Sequence, residues 1–300
     1  MSESPMTSAS LNNNGKGNVN FGALLVVPAS LIVMLVIVLP ALQLFRYSFN
    51  HYEPGQVMQA AFTLENYLRF FSERYYLNIL GDTLKVAALC TFLSLVLGFP
   101  VAYFLARTQS RYKSLLVILL VFPLLVGNVV RAAGWMVILG NAGFMNALLI
   151  AAGVIDQPVR LLYTPLAVVM GTTGVVLPYM VITLQSVLEG IDRSVEEAAR
   201  NLGANNARAF LRVTLPMSAP GVAAGTMLVF ILCMNAYATP VLLGGTSLTM
   251  MAPAIYGQIA QASNWPFGAA LAFILMVVTL LMALGSNWLI HRRYAKTMMT

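Results

Sequence analysis

Charge is what this sequence has least of. Only 9% of its 300 residues are Asp, Glu, Lys or Arg, where a soluble domain carries about 25%. So few charges cannot coat a water-facing surface, which excludes an ordinary soluble globular protein. Acids are the scarcer sign, ten Asp and Glu in all, and none lies deep in an apolar run. Ion- or proton-driven secondary transporters, the main competing reading, usually hold ionisable groups near the midplane and show internal repeats, and neither is found here. Histidine is almost missing: His51 and His291 fall near opposite faces and cannot easily share a metal. There is no His-Glu-x-x-His, no Gly-Lys-Ser/Thr phosphate loop and no nucleophile elbow. The expectation is therefore no catalytic residue, no metal, no cofactor and no enzyme activity of its own. The two cysteines, Cys90 and Cys233, both sit inside apolar runs and read as unpaired packing residues, not a disulfide framework.

What is abundant is apolar. The chain is 59% hydrophobic with mean hydropathy +0.80. Six apolar runs stand out, roughly 21–45, 80–105, 115–139, 162–187, 216–243 and 267–290. Each exceeds the roughly 20 residues needed to cross about 30 Å of hydrocarbon. The first is longer than a signal-peptide core and reads as a retained helix. This predicts an all-α, polytopic membrane protein with six transmembrane helices. Residues 1–20 read as a disordered tail, 21–293 as the membrane domain and 294–300 as a second tail. A net charge of +7 could suggest nucleic acid, but the basic residues cluster beside apolar runs. Arg107, Arg111 and Lys113 follow the second run, Arg193, Arg200, Arg208 and Arg212 the fourth, and Arg292, Arg293 and Lys296 the sixth, while residues 243–267 carry no charge. The positive-inside rule then puts both termini in the cytoplasm. The partner is membrane lipid, not nucleic acid.

Glycine and proline recur inside the runs, at Pro100, Pro123, Gly171, Gly174, Pro178, Gly225 and Pro240 among others. A bilayer bundle tolerates them where neighbours satisfy the freed backbone, and small residues let helices approach closely. The stretch FTLENYLRFF, within the first outer segment, reads as a short amphipathic element.

One loop, residues 191–216, is too polar to span and too patterned to be a plain connector. Ile191, Val195, Ala198 and Leu202 form a narrow apolar stripe at helical spacing. Arg193 with Glu197, and Glu196 with Arg200, are i,i+4 pairs that read as solvated. Asp192 and Ser194 compete as N-cap, Gly203 suits a helix C-terminus, a second short helix is expected near 206–213, and Pro216 fits the first turn of the next span.

Glu197-Ala198-Ala199, three residues, Gly203, nine residues, then Val213-Thr214-Leu215-Pro216 resembles the EAA loop of ATP-driven (ABC-type) binding-protein-dependent importer permeases of type I, with Val213 in place of the pattern's Ile. NYLRFF, RLLYTPLAVVMG, TPVLLGG and NWPFGAAL resemble the spermidine/putrescine permease branch. The resemblance implies a bacterial inner-membrane, multi-pass permease subunit that translocates a small organic solute, polyamine-like or a related amine or opine. It implies as partners a separate ATPase that uses the ATP, a second permease forming a heterodimer, and an extracytoplasmic solute-binding protein. Glu197, Ala198, Ala199, Gly203, Leu215 and Pro216 would form the ATPase-coupling loop. Polar groups at membrane depth are the candidates for a substrate pathway: Asn128, Arg131, Tyr179, Asn235, Tyr237 and Thr239. Arg131 is expected near the outer interface, about 27 Å of helix beyond Lys113.

Overall fold

The computed structural model describes residues 18–297, and helix dominates it. The proposed tail at 1–20 lies outside the described residues except for 18–20, which open the first helix. Of the proposed tail at 294–300, residues up to 297 belong to the last helix. The chain forms two compact units, residues 1–47 and 48–300.

The described part of the first unit is α1, Asn18–Tyr47, with Pro28 and Pro40 inside it. Its window Ser30–Tyr47 is long and apolar enough to cross a bilayer. The apolar side chains from Leu31 to Leu39 are all exposed.

The second unit is built on α3 (Arg74–Arg107), α7 (Pro165–Glu189) and α11 (Ala219–Met234), which pack mutually, with α13 (Trp265–Thr297) against α11. Cys90, Met180, Leu184, Val229 and Cys233 are fully buried where these helices meet, and both cysteines are free. The expected small-residue packing is present. A Cβ on Gly225 would come within 2.9 Å of the Met180 sulfur, and one on Gly171 within 2.9 Å of the Thr239 methyl. Only glycine lets α7 approach α11 and the chain beyond it this closely.

Five segments are long and apolar enough to cross a membrane: Ser30–Tyr47, Arg74–Arg107, Asn128–Ala151, Pro165–Glu189 and Trp265–Gly285. The pair Asn206–Met217 and Ala219–Met234, bent by 64°, supplies a sixth. The expected third run, 115–139, is not one helix. It divides into α4 (Lys113–Leu125) and α5 (Asn128–Leu139), and α6 (Phe144–Ala151) extends the crossing. Pro123 has no N–H to give, and Val126 and Gly127 are extended, with ψ of 130° and 145°. The helical arithmetic that put Arg131 about 27 Å from Lys113 therefore does not hold.

Nor does Pro216 open the fifth span. It belongs to α10 (Leu215–Met217), before the bend at Ser218. The short helix foreseen at 206–213 is α9 (Asn206–Ala209), which runs on into a π-helical turn at Phe210–Thr214.

The two ends of α3 carry different attachments. At its start sits the amphipathic element, α2 (Glu65–Ser72), which also meets α13 and lays the Arg69 guanidinium 4.5 Å over the Phe267 ring. A hairpin of β1 (His51–Glu53) and β2 (Gln56–Gln59) lies at this end, turning at Gly55 with φ +92°. Three or four residues per strand were too few for sequence periodicity to show. At the same end the uncharged stretch folds as α12 (Met251–Tyr256) and a π-helical turn, tied to α3 by the Met251 N–H donating to the Thr83 hydroxyl at 2.9 Å. At the other end of α3 lies the polar loop.

Candidate functional site

The loop forms α8, Arg193–Asn201. Asp192 is its N-cap, its carboxylate accepting the Ser194 N–H at 2.9 Å. That hydrogen bond holds the Asp192 carboxyl below its usual range. At the far end, the Gly203 N–H donates to the Arg200 carbonyl and the Ala204 N–H to the Ala199 carbonyl, the paired bonds of a Schellman cap. The motif requires a left-handed residue, and Gly203 supplies φ +89°. Of the apolar stripe, Ile191 is buried under the bundle, whereas Val195, Ala198 and Leu202 are exposed, Leu202 by 90%. Glu197 is exposed on the same helix, Ala199 and Pro216 are half-buried, and Leu215 is exposed.

The expected pair Glu196–Arg200 is present, but Glu196 is not on the solvated side. Glu196 points into the bundle with 8% of its side chain exposed, and Arg200 reaches it only at 3.9 Å. The carboxylate instead accepts Arg107 Nη2 at 2.6 Å, the Thr214 hydroxyl at 2.9 Å and the Tyr103 hydroxyl at 3.3 Å. Arg193 donates to the Arg107 carbonyl at 2.7 Å, in place of the expected pairing with Glu197. Burial alone would raise the Glu196 carboxyl. The hydrogen bonds from Thr214 and Arg107, with the Arg107 charge, outweigh it and hold the group below the usual carboxylate range. Sequence reasoning missed this site because its partners lie 89 and 93 positions upstream. The available signal was Arg107, a cation ending an apolar run with no acid near it in sequence.

The second site is a cavity of about 430 Å³ between α5, α7 and the end of α11. It brings together five of the six pathway residues expected from the sequence: Asn128, Tyr179, Asn235, Tyr237 and Thr239. The sequence places them because α11 stops at Met234. Asn235 caps it, its amide donating to the Ile231 carbonyl at 2.9 Å, and Pro240 begins a π-helical turn, Pro240–Gly244. The chain unwinds at residues 235–237 before helix resumes at Ala238, and residues 235–239 thus line the cavity. Tyr237 leans on Tyr256, ring centroids 5.1 Å apart.

Thr172 also lines the cavity, and its buried hydroxyl has no hydrogen-bond partner among the described residues. Arg131 is the exception among the six. It does not line the cavity; its Nη2 donates to the Asn128 side-chain oxygen, while Nε and Nη1 are enclosed without partners among the described residues. No lining residue is acidic or basic. Among the described residues no cluster of three or more His, Cys, Asp or Glu is placed to hold a metal.

Comparison with known proteins gives this geometry a setting. Over residues 91–294 the chain matches the family described as the inner membrane component of binding-protein-dependent transport systems. It is 35% identical over 252 residues to the spermidine/putrescine transport system permease protein PotB of Escherichia coli K12, covering 84% of this chain and 91% of that protein. PotB of Haemophilus influenzae is 31% identical over 264 residues, 87% of this chain and 92% of that protein. The molybdenum transport system permease protein ModB of Mycobacterium bovis is 32% identical over 206 residues, 68% and 75% of the two chains.

Among solved structures, a bacterial alginate ABC transporter in complex with an alginate pentasaccharide-bound periplasmic protein matches with a TM-score of 0.76 at 17% identity, over 92% of this chain and 96% of that one. A second alginate importer structure gives 0.70 at 16%, over 91% and 96%. At such identities the likeness establishes the fold. Matched across two thirds of its length by the family and across 84% by PotB, this chain belongs to the binding-protein-dependent transport system inner membrane components, and is a multi-pass inner-membrane permease subunit of an ABC importer and not an enzyme.

Proposed function

We propose that the chain carries a small amine, of the polyamine type named for its PotB relatives, through the cavity along α5, α7 and α11. The solute is handed over by an extracytoplasmic binding protein, and a separate cytoplasmic ATPase uses the ATP. The second, related permease completes a heterodimer, and both termini of this chain face the cytoplasm. The observation that carries the reading is the convergence on one uncharged, polar cavity of Asn128, Tyr179, Asn235, Tyr237 and Thr239. Tyr179 and Tyr237 offer ring faces to an ammonium group, an attraction of about 0.5–2 kcal/mol each, and the amides and hydroxyls offer acceptors.

Docking of the ATPase falls to α8. Glu197, Ala198, Ala199 and Gly203 shape it, and Leu215 and Pro216 join it to the fifth span. Exposed Val195 and Leu202 supply the apolar anchor, and covering Leu202 contributes on the order of 2 kcal/mol. A less charged, opine-like solute is the second reading, favoured by the lack of any carboxylate in the cavity lining.

Uptake of labelled spermidine and putrescine by cells with and without the chain separates the two. Loss of uptake that the wild-type chain restores supports the amine reading. Unchanged polyamine uptake rejects it and leaves the opine-like class.

A further inference from the structure

We infer that Glu196, the residue just before the Glu-Ala-Ala triplet, is the positioning residue through which movement of the docking helix reaches α3 and the fifth span. The inference rests on the importer reading but concerns a contact inside this chain. The Glu196 carboxylate is held from three elements. Arg107 and Tyr103 reach it from the end of α3, Arg200 from α8 itself, and Thr214 from the π-helical turn that leads into the 64° bend before α11. Arg107 closes the arrangement from the other side. Its guanidinium donates to the Ile191 carbonyl at 2.9 Å, and its own carbonyl accepts Arg193 at 2.7 Å.

The Arg107 and Glu196 side chains are 14% and 8% exposed, and Arg107 Nε has no partner among the described residues. Sliding α8 against α3 would strip the guanidinium of the one carboxylate that it pairs with among the described residues, at a largely buried position. The loop and the end of α3 therefore move together, and Thr214 passes the displacement to α11. That helix ends at Met234, and its C-cap Asn235 lines the cavity. Glu197, one residue on, is exposed and faces the docking side. The two adjacent acids thus have separate tasks, one toward the partner and one toward the bundle.

The test uses the assembled complex in its native membrane and needs no knowledge of the solute. Ala238→Cys, in the cavity lining, reports access to a membrane-impermeant maleimide, with the parent chain, whose Cys90 and Cys233 are buried, as the blank. With Glu196 intact, trapping nucleotide with ATP and vanadate changes the labelling rate at least about five-fold, the low end of ordinary site-to-site coupling. Glu196→Gln abolishes that change while the ATPase still co-purifies and hydrolyses ATP. Thr214→Val, which keeps the ion pair and removes one hydrogen bond, weakens the change without abolishing it, and serves if Glu196→Gln does not reach the membrane.

An undiminished response in both variants overturns the inference. So does loss of the ATPase from Glu196→Gln, which would make Glu196 a docking residue. If even the Glu196-intact complex lacks an ATPase and a nucleotide response, it is the importer reading that fails.

Discussion

Beneath α8 a single carboxylate receives donors from Arg107, Thr214 and Tyr103, all within 3.3 Å. In the cavity beside α7 and α11, by contrast, the Thr172 hydroxyl is buried with no partner among the described residues, and no charged side chain lines the wall. In one region several donors converge on a single carboxylate, and in the other a buried hydroxyl stays uncommitted. A buried network converging on one charge resists rearrangement, because each lost contact exposes an uncompensated group. An under-satisfied cavity waits for a ligand to complete it. The same chain thus builds a stiff joint and the proposed passage from polar side chains, and the difference lies in whether partners converge.

Breaking the joint has the largest expected effect. Arg107→Ala leaves the buried Glu196 carboxylate with only Arg200 as a cation among the described residues, 3.9 Å away, at a cost of about 3–5 kcal/mol. For a chain of this size that lowers the Tm by on the order of 10 °C, measured by thermal unfolding in detergent. A fall of only a degree or two would show that the pair is freely hydrated.

Gly203→Val follows. A side chain at φ +89° costs about 1–2 kcal/mol, although a Cβ there meets no atom within 4 Å. The strain is purely backbone, so Gly203→Asn should be milder than Gly203→Val. Uptake in the valine variant should fall while ATP hydrolysis continues, and normal uptake at normal expression would count against a role for the cap.

Acid titration sharpens the contrast further. The Glu196 carboxyl lies below its usual 4.5 in the folded chain. Its contribution to stability is therefore complete above that value and fades as pH drops through the lower folded value. Wild type should lose stability more steeply below pH 4.5 than Glu196→Gln, seen as converging Tm curves; parallel curves would remove the carboxylate from the ledger.

The cavity should give the smallest stability changes. Thr172→Val replaces an unpartnered hydroxyl by a group of the same shape, and Tyr237→Ala removes an exposed ring, so each shifts stability by roughly 0.5 kcal/mol or less. Uptake should nonetheless fall in both. Equal uptake to wild type would take Thr172 and Tyr237 out of the passage.

Much of this was readable in the chain. Long apolar runs bounded by basic loops outline six crossings, because hydrophobic length is a local property. The interruption after Met234 was legible from Asn235, Tyr237 and Pro240 together. Breaks inside runs were harder. Pro123 and Gly127 split the third run, although proline and glycine elsewhere, such as Pro178 in α7, leave a helix intact. Periodicity also failed at Glu196. Helical spacing paired it with Arg200 on a wet face, whereas its main partner, Arg107, is 89 residues away. The distance reckoned from Lys113 to Arg131 fails at the same break, since arithmetic along a helix assumes the helix continues. The hairpin at 51–59 and the short helices α6 and α12 left no pattern long enough to read.

The most direct test of the importer account is a mild-detergent pull-down of the tagged chain from its native membrane, with wild type beside Glu197→Lys. The account predicts that an ATPase and a second permease accompany wild type, and that the ATPase is lost from the variant. A chain recovered alone in both cases would contradict it.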